Sequence, residues 1–255
     1  MMTERQLTIR PNLKVNFTIV HEDRGFLIVD KPAGVVTQPG AKHRYDTLLN
    51  GLFAHDGYVF QNLGKVRDFG LIHRLDRPTS GLLVVGREGA AYDHIRQQFK
   101  MRTVQKTYLA IVHGHLPDGR LTVSTPIKEV RMRGRKRAVL GQGRGAQAAR
   151  TEIETVARSK TNALVVCRPK TGRLHQIRVH LAHRGCPIVG DFDYGRRLPL
   201  DRGVPRDMIA LHAAELGFTH PDTGAHIEFR TPLPSPFIDL LKRVGLTCPR
   251  RWRTS

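Results

Sequence analysis

Apolar positions fall into short runs separated by turn residues. Thr18-Ile19-Val20-His21-Glu22-Asp23 and Phe26-Leu27-Ile28-Val29 flank an Asp-Arg-Gly turn, the pattern of two short strands. Lys31-Pro32-Ala33-Gly34 closes the second run, since Pro removes a donor and Gly permits a turn. Leu82-Leu83-Val84-Val85 reads as a buried strand. Over 88–102, Ala91, Ile95 and Phe99 recur every four residues and predict a helix with one apolar stripe. Gln105–Val112 alternates, which places Lys106, Tyr108 and Ala110 on one face and Thr107, Leu109 and Ile111 on the other. Residues 151–157 and 163–168 predict a further strand pair, followed by a Pro169-Lys170-Thr171-Gly172 turn. A helix is expected from Leu174 to Arg184, striped by Leu174, Ile177 and Leu181 and stopped by Gly185 and Pro187.

Two stretches lack a core-forming pattern. Residues 131–150 hold Arg131, Arg133, Arg135, Lys136, Arg137, Arg144 and Arg150 with four glycines and no acid, and predict a flexible basic loop. The end carries Lys242, Arg243, Arg250, Arg251 and Arg253. The expected layout is an arm over 1–16, one domain of two sublobes over 17–240 with the basic loop inserted, and a basic tail over 241–255. The chain has 255 residues, enough to bury a core without a disulfide or metal staple.

Charge changes the picture. Lys and Arg total 42 against 22 Asp and Glu, a formal net charge of +20. That imbalance points to a polyanionic partner, RNA or DNA first. The three cysteines, at 167, 186 and 248, are odd in number and widely spaced, so the expectation is reduced thiols in a cytoplasmic protein. No apolar run approaches the ~20 residues that cross a bilayer, and no apolar signal core follows Met1.

The sharpest stretch is His73-Arg74-Leu75-Asp76-Arg77-Pro78-Thr79-Ser80-Gly81, running into the strand at Leu82. A carboxylate stands between two arginines on a turn-rich loop fixed by the strand behind it. Functional residues sit on such loops, although a structural ion pair gives the same spacing.

This stretch resembles the catalytic motif of the RluA family of pseudouridine synthases, and other matches follow in the family's order. Glu22-Asp23 and Val29-Asp30-Lys31-Pro32-Ala33-Gly34 are similar to its opening motif and Lys106-Thr107-Tyr108 to its Lys-x-Tyr strand. Thr171-Gly172-Arg173-Leu174-His175-Gln176-Ile177-Arg178-Val179-His180 resembles its third motif, continued by Pro187–Asp191 and Tyr194-Gly195. Leu211-His212-Ala213 with Phe218–Pro221 resembles the closing element. Leu174, Ile153 and Met208 depart from the usual pattern, outside the catalytic set.

The resemblance implies an α+β fold with a central, mostly antiparallel mixed sheet, flanking helices and an RNA-binding cleft. It implies a site-specific isomerase acting on uridines of structured rRNA or tRNA. The opening motif near residue 17 leaves no room in this chain for the small N-terminal RNA-binding domain many relatives carry. No cofactor, metal or obligate protein partner is expected, and the chain is expected to be a monomer. The exchange of a C–N for a C–C glycosidic bond needs no oxidant, only a suitably placed carboxylate. The resemblance makes that residue Asp76. Attack on the base, attack on the sugar and removal of a sugar proton stay open as its step. Arg178 is implied as its charge partner and Tyr108 as the wall of the uracil pocket. Extruding a stacked uridine costs a few kcal/mol, and Arg74 is implied as the planar group that fills the vacated space. His73, Lys106, Arg173, His175 and the loop residues Arg133, Arg135, Lys136 and Arg137 complete the expected RNA-binding set. Two rival readings remain. One is a non-catalytic RNA binder on the same scaffold. The other is a metal-dependent nuclease, which the histidines invite but for which no carboxylate completes a ligand set.

Overall fold

The computed structural model describes residues 7–132 and 134–252; the side chains of Arg135 and Pro199 lie outside that description. Arg133 and Arg253, both named in the sequence reading, fall outside the described residues. The described chain forms two compact units, Met1–Val104 with Gly217–Phe229, and Gln105–Leu216 with Arg230–Ser255.

In the first unit, β1 (Thr18–Glu22) and β2 (Phe26–Lys31) form the antiparallel pair expected around the Asp-Arg-Gly turn. Helix α1 (Leu48–Leu63) follows, opened by a capping box between Thr47 and Asn50. The Asn50 amide also donates to the Arg10 carbonyl at 2.8 Å, and Asn12 N–H bonds the Asn50 carbonyl at 3.0 Å. The described part of the expected arm therefore packs on α1. Strand β3 (Ser80–Gly86) pairs with β2 and is buried along its whole length. Helix α2 (Gly89–Met101) buries Ala91 and Ile95 of the expected stripe, while its third member, Phe99, is half-buried.

In the second unit, β4 (Gln105–His113) opens a sheet whose later members are β5 (Arg120–Val123), β9 (Thr151–Arg158) and β10 (Asn162–Pro169). The order β4-β10-β9-β5 is antiparallel throughout. On β4, Thr107, Leu109 and Ile111 are buried and Lys106 and Tyr108 are half-buried, as the alternation implies, but Ala110 on the latter face is buried too. A short helix α3 (Gln176–His183) follows β10. Strand β11 (Leu211–Thr219) runs from the second unit into the first, and β12 (His226–Arg230) pairs with it. Helix α4 (Ser235–Arg243) comes last. The fold is α+β, as expected.

Three expectations need correction. The described residues of 131–150 are not a loop without regular structure. They carry most of a three-stranded sheet of β6 (Ile127–Met132), β7 (Arg135–Leu140) and β8 (Ala146–Gln147), in the order β7-β6-β8. Buried Ile127, Ala138 and Ala149 pack with Val179 of α3, and Leu140 and Tyr194 cover them. Within 131–150 the apolar positions are few and mostly come after the basic run Arg135-Lys136-Arg137, so no period shows in sequence. Second, the described part of the basic end, up to Trp252, is not a loose tail. Trp252 is buried, its indole N–H donates to Glu215 at 3.1 Å, and Arg251 reaches the same carboxylate at 2.7 Å. Third, α3 starts two residues later than expected and is buried on every side from Gln176 to Leu181, because packed elements rather than solvent face its polar side.

Candidate active site

Asp76, Arg74 and His73 belong to the first unit. Gly70 begins the approach: its φ is +92°, and a Cβ there would lie 2.5 Å from the Gly86 carbonyl. Glycine therefore lets Leu71 bridge to Val85 of β3, which starts the loop close against the strand. Val84 N–H donates to Nε2 of His73 at 3.1 Å, and the ring stacks on Phe99 with centroids 4.6 Å apart. Thr37, buried, donates to the Leu75 carbonyl at 2.9 Å and accepts from Leu75 N–H at 3.3 Å. Thr79 N–H closes a turn on the Asp76 carbonyl at 3.1 Å. The chain on either side of Asp76 is thus tied to fixed groups, while Asp76 itself is half-buried and Arg74 exposed.

Beneath this loop lies Lys31, a residue to which the sequence reading gave no role. It is fully buried, and its ammonium donates to the carbonyls of Pro32 at 2.9 Å, Val35 at 2.8 Å and Arg77 at 3.3 Å. Three donors meet three acceptors, one of them next in sequence to Asp76. Burial draws the Lys31 pKa down to about 7, against the opposing pull of the Asp76 and Asp30 charges. The signal in the sequence was a lysine at the inner end of an apolar strand.

Lys106, Tyr108, Arg173, His175, Arg178 and the basic hairpin belong to the second unit. Burial lowers the Lys106 pKa to about 8. The Thr171-Gly172-Arg173 turn is set by Gln176, which is buried and uses its whole amide. Its oxygen accepts from Thr171 Oγ1 at 2.6 Å and Arg173 N–H at 3.1 Å; its nitrogen donates to the Arg150 carbonyl at 3.0 Å and Thr151 Oγ1 at 2.9 Å. Arg173 Nε donates to the Ala148 carbonyl at 3.1 Å. His175 stands at the N-cap of α3 with φ +48°, outside the helix rather than on its polar face.

Arg178 is 3% exposed, which rules out an ordinary surface arginine. Nε and Nη2 clasp Asp191 at 2.7 and 2.8 Å, and Nη2 also reaches Asp193 at 2.9 Å. Asp191 and Asp193 escaped the sequence reading as charge partners, although the run to Tyr194-Gly195 was noticed. A bidentate fork is the geometry that fixes a guanidinium most tightly. Of the other histidines, His180 uses both ring nitrogens, on Thr151 Oγ1 at 2.9 Å and the Thr125 carbonyl at 3.0 Å. Among the described residues, no three His, Cys, Asp or Glu side chains cluster as a metal site.

Comparison with known proteins agrees with these motifs. The family described as RNA pseudouridylate synthase matches residues 25–183. An RNA pseudouridine synthase of Bacillus subtilis is 36% identical over 90% of this chain and 73% of its own length. Ribosomal large subunit pseudouridine synthase D of Zymomonas mobilis is also 36% identical, over 90% and 73%. The solved human RNA pseudouridylate synthase domain containing 1 has 30% identity and a TM-score of 0.67, covering 89% of this chain and 87% of that one. Human RNA pseudouridylate synthase domain containing 4 has 25% identity and a TM-score of 0.69, covering 91% and 94%. The chain belongs to the RNA pseudouridylate synthase family, isomerases that act on RNA, as its resemblance to the RluA family implied. No described helix is long and apolar enough to cross a membrane.

Proposed function

We propose that this chain is a monomeric cytoplasmic enzyme that isomerises a uridine of large-subunit rRNA, with Asp76 as the catalytic carboxylate. The observation that carries the reading is the loop: Lys31, Thr37 and Thr79 hold the backbone around Asp76 while its side chain stays half-buried. Fixing the loop in advance lowers the ordering cost when substrate arrives. In the reaction, C1′–N1 breaks and C1′–C5 forms, C5 loses its proton and N1 gains one. The sum is an isomerisation, and a carboxylate that meets the reacting carbon or its proton serves it. Tyr108, half-buried on β4, offers a ring for the base to stack on, worth about 1–3 kcal/mol. Exposed Arg74 offers a planar group for the space the base leaves. Arg178 supplies a fixed positive charge.

The hairpin supplies the electrostatic grip. In its register Arg131 faces Lys136 across the strands. Like charges directly opposite destabilise a strand pair; Glu129 answers Lys136 from 3.6 Å, and phosphates would answer the rest. The rRNA assignment draws on the named substrate class of the relatives, and tRNA is the alternative outcome.

The test pairs an assay with a map. Asp76→Asn should lower tritium release from C5-labelled uridine RNA at least about a thousandfold, while RNA affinity holds, because removing a negative charge does not weaken attraction to phosphate. In cells lacking the gene, wild-type chain should restore a pseudouridine in large-subunit rRNA and Asp76→Asn should not. Turnover by Asp76→Asn would overturn the catalytic assignment; a restored mark in tRNA alone would overturn the rRNA assignment.

A further inference from the structure

The turn from Asp191 to Gly195 supplies three groups around Arg178. Asp191 and Asp193 hold its guanidinium, and the Tyr194 ring centroid lies 5.1 Å from its central carbon. The turn is tight: Gly195 N–H bonds the Asp191 carbonyl at 2.9 Å, and a Cβ on Gly195 would sit 2.9 Å from that oxygen and 3.0 Å from Pro187 Cβ. Tyr194 also reaches the hairpin. Arg137 of β7 lies 5.2 Å from its ring centroid, and Ala138 N–H donates to its hydroxyl at 2.9 Å. The same hydroxyl lies 2.7 Å from Nδ1 of His175.

A phenol has one proton. The hydroxyl oxygen accepts from Ala138 N–H and shares a second hydrogen bond with His175 Nδ1, so one group ties the hairpin to the start of α3. Burial raises the Tyr194 pKa, so the proton is retained. The hairpin's apolar footing is slight. Ile127, Ala138, Ala149 and Val179 form it, and two of the four are alanine. A small core specifies position weakly, so a polar tie at Ala138 has a large say in where the hairpin stands over α3.

We propose that Tyr194 is a positioning residue for the isomerisation, coupling the basic β6–β7 hairpin to Arg178 and His175 at the start of α3. RNA seated on the hairpin thereby sets the guanidinium and the imidazole. The proposal rests on the roles given above to Arg178 and the hairpin.

Tyr194→Phe keeps the ring beside both guanidinium groups and removes only the hydroxyl. In single-turnover assays on C5-labelled RNA, the rate at saturating enzyme should fall about tenfold, the scale of two lost hydrogen bonds, while RNA affinity changes by less than about threefold. Nitrogen-15 spectra should show the His175 Nδ1 resonance shift as its bond to the hydroxyl is lost. An unchanged saturating rate, or a fall fully matched by lost affinity, overturns the proposal. Should Tyr194→Phe fail to fold, Arg137→Ala decides: coupling requires a lower saturating rate, and a loss confined to affinity overturns it. Arg178→Lys separates the two levels. Full activity there defeats the reading of Arg178 itself. Inactivity there with a silent Tyr194→Phe defeats only the coupling.

Discussion

The loop that carries Asp76 and the helix that carries Arg178 solve the same problem with opposite chemistry. In the first unit a buried cation, Lys31, braces the backbone of the loop through three carbonyls. In the second unit a buried cation, Arg178, is itself braced through two carboxylates. A carbonyl carries only a partial charge, so Lys31 keeps most of its desolvation cost and its pKa falls. A bidentate carboxylate meets a guanidinium charge for charge. The two sites should therefore fail differently when broken.

The largest effect belongs to the paired site. Arg178→Met leaves Asp191, itself 3% exposed, as a buried charge without its clasp. The expected cost is about 3–5 kcal/mol in urea unfolding. Adding Asp191→Asn should recover part of it; a double variant that loses the full sum would show that the two residues act independently.

Next comes Lys31→Met, expected to cost about 1–3 kcal/mol through carbonyls left unsatisfied. Its signature is in pH. The folded pKa is near 7 and the unfolded value is 10.5, so between those limits the unfolded chain binds more protons. Wild-type stability should then rise with pH across that window, and methionine cannot follow. The wild-type advantage over Lys31→Met should grow from pH 6 to pH 9.5. A flat difference would mean that the ammonium titrates at its ordinary pKa.

The smallest effect falls on the hairpin. Replacing Arg131, Lys136 and Arg137 by Ala should weaken RNA binding and lower the log–log salt slope by up to about 2–3, at 0.7–0.9 per lost phosphate contact. An unchanged slope would move the RNA footprint elsewhere on the chain.

These contrasts also explain what could be read beforehand. Strands β2, β3, β4, β9 and β10 were legible because branched and apolar residues run or alternate in them. The motif around Asp76 and that around Arg178 were legible as strings of residue types. The bracing was not. Lys31 reads as the polar stop of a strand until burial shows it turned inward. Arg178 falls on the polar side of a helical wheel, and only the packing of α3 on all sides reverses that inference. Helix α1 escaped because Gly51 and Gly57 interrupt it and Asp56 leaves helical geometry, with φ −151°. The hairpin escaped because the apolar end of β7 follows three consecutive basic residues, and Ala138 weighs little in any apolar count.

The division of the chain has a consequence for its synthesis. The first unit is built from two stretches, Met1–Val104 and Gly217–Phe229. Its Phe26, fully buried, packs against Phe218, His220 and Phe229, and Gln98 bonds both backbone groups of Thr219. A ribosome therefore exposes most of this unit roughly ten seconds before it delivers the aromatic residues that close it. For that interval Phe26 is an open apolar face on a nascent chain. The stretch that ends the wait arrives only after the whole hairpin and Arg178 have been made.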